Sequence, residues 1–83
     1  MPNRIQYAFV RDLRDADGAK CDGFACIAYD SITLDADLNQ KDMLETAVHE
    51  AMHCMFPKAK EKDVENKSEE IADMLWRMGY RRI

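Results

Sequence analysis

The sequence predicts an α+β domain, a small antiparallel sheet of about three strands packed on two helices in a minimal zincin-like arrangement. Two observations carry this. The segment 5–13 alternates apolar and polar residues and is followed by two short strand-like runs ending at Asp35, whereas the segments after Asn39 repeat apolar residues at helical spacing. All strand-like segments precede all helical ones, the order of an α+β chain and not of βαβ units.

Residues 5–13 place Ile5, Tyr7, Phe9 and Leu13 on one face of an extended chain, the pattern of a half-buried strand. Asp15-Ala16-Asp17-Gly18 then turns the chain. Residues 24–29 form a second strand, and Asp30-Ser31 leads into a third over 32–35, so these two read as a hairpin. Asp37 or Asn39 caps a helix over 40–56, which Pro57 stops. A lysine-rich loop over 58–62 leads to a second helix over 63–78. Gly79 forms its C-terminal cap, and Arg77, Arg81 and Arg82 suit a helix C-terminus. Met43, Met52, Met55, Met74 and Met78 read as soft filler between the helices, and Trp76 as a core anchor.

With 83 residues the chain has room for one domain over 1–83. A content of 47% hydrophobic and 34% charged residues belongs to a folded globule and not to a disordered tail. The longest apolar run, 24–29, falls far short of the roughly 18 residues of a membrane span, and no apolar leader follows the first residues. The expected location is therefore the cytoplasm, as a monomer or small homo-oligomer without membrane contact. A net charge of −4 argues against nucleic acid as a partner. A domain this small gains from a staple, and three cysteines, an odd number, fit free thiols in a reducing compartment better than a disulfide framework. The staple to look for is a metal.

His49-Glu50-Ala51-Met52-His53 is the segment that carries chemistry. On a helix, residues four apart lie about 40° apart on one face, so two imidazoles can grip one Zn²⁺. Glu50 sits about 100° round from His49, free to act as a general base beside the ion. The chain has only two histidines, so a third protein ligand is a carboxylate before it is a cysteine or tyrosine. Phe56 and Ala59 stand where a metzincin needs glycine and histidine, which excludes that class. On a helical wheel with Val64 at 0°, the apolar residues of the second helix centre at about 20°. Glu65 falls at about 100°, inside their arc, and Glu69 at about 140°, on its edge. Glu65 is thus the first choice of third ligand and Glu69 the second.

Other constellations are weaker. Asp35-x-Asp37-x-Asn39 opens like a calcium loop, but Gln40 and Thr46 stand where glycine and glutamate are required, so it reads as helix-capping chemistry. Cys21 and Cys26 could join a metal with the histidines, yet they read more simply as semi-buried thiols. Cys54 lies about 140° from His49 on its helix, away from that metal. Lys58, Lys60, Lys62 and Lys67 read as a solvated loop and helix start.

The histidine pair followed by a carboxylate on the next helix resembles the gluzincin branch of zinc metallopeptidases. The last half of the chain is similar to minimal gluzincins and to small phage-encoded HExxH proteins, through Leu44-Glu45-Thr46-Ala47-Val48-His49-Glu50, Pro57 and Leu75-Trp76-Arg77-Met78-Gly79-Tyr80-Arg81. The ligand motif of the large gluzincins on the second helix is missing. The resemblance implies a zinc metalloprotease acting on a peptide or protein substrate, with metal-activated water and Glu50 as general base. It implies an exposed strand edge, over 25–34, that pairs with extended substrate. Tyr80 and Arg82 are the expected oxyanion or substrate contacts. Two rival readings accompany it. One is a catalytically silent, zinc-stapled structural or interaction domain. The other is a latent form whose tail, Arg81-Arg82-Ile83, blocks the cleft.

Overall fold

The structure is a computed structural model that describes residues 4–82. The expected leader-free start at Met1 to Asn3 and the last tail residue, Ile83, lie outside the described residues. The elements are β1 (Gln6–Val10), β2 (Gly23–Cys26), a 3₁₀ turn (Ile27–Tyr29), β3 (Ser31–Asp35), α1 (Gln40–Met55) and α2 (Glu61–Arg77). This is the α+β class, with a three-stranded sheet and two helices.

The sheet is mixed and not wholly antiparallel. Its order is β1-β3-β2, with β3 antiparallel to β2 and parallel to β1. The loop over 11–22 reverses the chain and sets β2 one strand away from β1, and β3 fills the slot between them. That loop is held by Asp15, whose Oδ1 accepts from the Asp17 and Ala19 amides at 2.8 and 3.0 Å. The hairpin of β2 and β3 is present, although the 3₁₀ turn replaces the second half of the expected second strand.

The main core lies between the sheet and α1. Ile32 and Leu34 of β3 meet Met43 and Cys54 of α1, with Ile5, Phe9, Ala25, Leu38 and Ala47 packed around them. On the expected face of β1, Leu13 is buried and Phe9 partly so, but Tyr7 is 70% exposed. Tyr7 only meets the edge of Phe9, with ring centroids 5.6 Å apart. Gly23 sets how closely β2 approaches the helix. A Cβ there would stand 2.9 Å from the Thr33 carbonyl oxygen and 2.9 Å from Cγ2 of Thr46 on α1.

Asn39 caps α1 as expected. Its side-chain oxygen accepts from the Asp42 amide at 2.8 Å, and its amide nitrogen donates to the Asp42 carboxylate at 3.0 Å. Asp35 accepts from the Asp37 amide and from Lys20, so the residues of the calcium-like stretch do turn and capping work. Helix α2 begins two residues before the expected start, at Glu61. It ends in a Schellman motif around Gly79 (φ +97°), with the Gly79 amide bonded to the Trp76 carbonyl and the Tyr80 amide to that of Leu75.

Helix α2 buries only Val64, Ser68 and Ala72, a narrow stripe with one residue per turn. Of the five methionines expected as filler, Met43 and Met52 are buried, whereas Met55, Met74 and Met78 are exposed. Trp76 is half-buried under the Arg81 guanidinium, 3.2 Å from its ring centroid. No helix among the described residues is long and apolar enough to cross a membrane.

Candidate metal centre

Helix α1 has two working faces. With His49 at 0°, Met43, Cys54 and Ala47 fall at about 120–160° and meet the sheet. His53 falls at about 40° and Met52 at about 300°, on the side turned to α2. Glu50, at about 100°, stands on the border between these faces.

The two imidazoles converge. Their Nε2 atoms are 3.2 Å apart and their ring centroids 4.9 Å apart. The Glu61 carboxylate straddles them, with Oε1 2.8 Å from His49 Nε2 and Oε2 2.9 Å from His53 Nε2. One ligand atom from each of His49, His53 and Glu61 lies within 4.8 Å of the others. A tetrahedral zinc with bonds of about 2.0–2.1 Å sets its ligands about 3.3–3.4 Å apart. The spacing of the nitrogens fits that figure, and two imidazoles with one carboxylate are a donor set that binds zinc and leaves a position open.

The carboxylate that meets both rings is thus Glu61, not Glu65 or Glu69. All three line the same cleft, of about 360 Å³, with His49, Glu50 and Ser68. Glu65 and Glu69 are exposed there, one and two turns further along α2. Because α2 starts at Glu61, this residue falls at about 60° on the wheel anchored at Val64, nearer the centre of the apolar arc than Glu65. A wheel drawn from Asp63 omits it. Its signal in the sequence is the acidic first turn, Glu61 with Asp63, which suits a helix N-terminus.

Ser68 is the second residue that sequence reasoning missed. It is 2% exposed, and its Oγ lies 3.5 Å from Nδ1 of His49 and 3.1 Å from the Glu65 carbonyl oxygen.

Glu50 lines the cleft in a half-buried position. Burial pushes its carboxyl above the usual range, the two imidazoles draw it back, and the Glu61 carboxylate pushes it up further. Asp22 and Gly23, where the chain enters β2, line the same cleft. β2 is an edge strand. The expected substrate-pairing segment over 25–34 is therefore cut short, because β3 is paired on both sides.

Tyr80 and Arg82 do not reach this cleft. They line a different pocket with Phe9, Leu34 and Met43. There the Arg82 guanidinium lies 3.9 Å from the Phe9 ring centroid, and its amide donates to Gln40 Oε1 at 2.9 Å. The described part of the tail is thus docked away from His49 and does not block the cleft. All three cysteines are free thiols, and none belongs to the metal-competent group among the described residues. The Cys54 thiol is pushed up by burial and approaches the Ser31 carbonyl oxygen at 3.8 Å.

Searches against protein-family profiles, curated proteins and solved structures find no match for this chain. The chemistry of the site is therefore read from its own residues.

Proposed function

We propose that this protein is a zinc-dependent peptide hydrolase, with His49, His53 and Glu61 holding the ion and Glu50 as general base. The observation that carries the reading is the convergence of two imidazoles and one carboxylate within 4.8 Å, two of them, His49 and Glu61, lining a cleft together with Glu50. When bound, zinc supplies a Lewis acid and makes water acidic enough to react near neutral pH. Glu50 takes a proton from the attacking water and returns it to the leaving amine. It follows His49 directly but lies about 100° round the helix, in the same cleft and outside the group that would hold the ion. Its partly desolvated carboxyl is suited to that exchange. The outer edge of β2, Gly23–Cys26, offers backbone groups to an extended peptide. The phage-like and cytoplasmic settings that the sequence suggests belong to the same proposal.

A second reading has its own support. Helix α2 buries only Val64, Ser68 and Ala72, so an ion shared between the helices would help hold the fold together whether or not it turns anything over. One variant separates the readings. In zinc-loaded protein assayed on a fluorogenic peptide mixture, Glu50→Gln should lower hydrolysis by about 10²–10⁴-fold while zinc content per chain stays unchanged. Zinc-loaded wild type that cleaves nothing, at the same rate as Glu50→Gln, would leave only the structural role.

A further inference from the structure

Ser68 is buried in the middle of α2, where its hydroxyl serves no packing need. The stripe it shares with Val64 and Ala72 would accept alanine at that position, and alanine is the better helix former. The hydroxyl nevertheless has two partners. Its proton goes to the Glu65 carbonyl oxygen, 3.1 Å away and three residues back, the usual local bond of a serine inside a helix. With that proton committed, Oγ faces Nδ1 of His49 at 3.5 Å only as an acceptor.

We infer that Ser68 is a positioning residue for the metal centre. It accepts the Nδ1 proton of His49 and so leaves the Nε2 lone pair of that ring aimed at the ion. This rests on the zinc reading above and extends it to a residue that touches neither ion nor substrate. The polarity of the chain is fixed from its far end: the Glu65 carbonyl can only accept, the Ser68 hydroxyl then donates to it, and the His49 Nδ1–H donates to Ser68. A metal-bound histidine needs such an arrangement, because the partner of one ring nitrogen decides which form the other presents. His53 has no matching hydroxyl bond in the structure among the described residues, so the two ligands differ. The carbonyl and hydroxyl of α2 orient His49, while Glu61 reaches both rings.

The test is zinc affinity of wild type and Ser68→Ala, measured by competition with a chromophoric chelator. It is paired with proton NMR of the zinc-loaded proteins and with urea unfolding of the metal-free ones. Ser68→Ala should bind zinc about 10–100-fold more weakly. The Nδ1 proton of His49, protected from exchange in zinc-loaded wild type, should be lost to rapid exchange with water in the variant. The metal-free unfolding midpoints should agree. Equal zinc affinity overturns the positioning role and leaves the zinc reading standing. Weaker binding with the Nδ1 proton still protected, or with a lowered metal-free midpoint, makes Ser68 a packing residue and also overturns it. A wild-type protein that takes up no zinc overturns both.

Discussion

Helix α1 is packed on two sides by different physics. Toward the sheet it meets Ile32 and Leu34 through Met43 and Cys54, a contiguous apolar core with a second ring of partly buried residues around it. Toward α2 it meets a stripe of Val64, Ser68 and Ala72, and beside that stripe stand two imidazoles and a carboxylate. The first interface is held by removal of apolar surface from water, which is non-directional and needs no ligand. The second combines a thin apolar stripe, Val64 and Ala72 with Met52 of α1, with a polar group whose imidazoles and carboxylate become strongly linked only when protons or an ion lie between them. A small domain can therefore hold its scaffold with one face of a helix and leave the other to a cluster of ionisable side chains.

The sheet side should break hardest. Leu34 is 2% exposed at the centre of the core, so Leu34→Ala should cost about 2–5 kcal/mol in urea unfolding, by the same amount with and without zinc. The helix side should respond to metal. Free zinc at 100 times its dissociation constant should stabilise wild type by about 2.7 kcal/mol. Hydrogen exchange should slow mainly in α2, and His53→Ala should erase both effects. If zinc protected β3 and α2 equally, the two interfaces would not be separate in the way their contacts suggest.

The side toward the sheet was also the more legible. Alternation in β1 and β3 and the Asn39 cap point to the strands, the start of α1 and the apolar face that covers them. Alternation says which face a residue occupies but not which way a neighbouring strand runs, so the parallel pairing of β1 with β3 is invisible without the path of the loop over 11–22. Tyr7 fits the pattern of a buried face yet lies at 70% exposure, on an edge strand. In the candidate metal centre, His49, His53 and Glu50 are readable because their offsets of four and of one along a helix dictate their relation. Glu61 is not, because α2 opens at Lys60, which caps with no side-chain bond, inside a run of lysines that resembles a loop. Ser68 leaves one trace: it is a polar residue at about 40° on the wheel, in the middle of the apolar arc.

The smallest effect expected separates a third kind of contact from both interfaces. Asp35 is a buried carboxylate at the end of β3. The Asp37 amide first, and then the Lys20 ammonium 2.9 Å away, hold its pKa below the ordinary 3.8. A carboxyl depressed on folding adds stability that is fully present above its unfolded pKa and is lost as pH falls through the folded value. Urea midpoints of wild type should therefore fall more steeply between about pH 4 and pH 2 than those of Asp35→Asn, which starts lower at neutral pH and has no such charge to lose. Zinc-free protein is the right material for this comparison, because metal binding is itself linked to pH and would add its own slope. Identical acid slopes for the two proteins would mean that Lys20 and the Asp37 amide hold Asp35 no better in the folded chain than water does in the unfolded one.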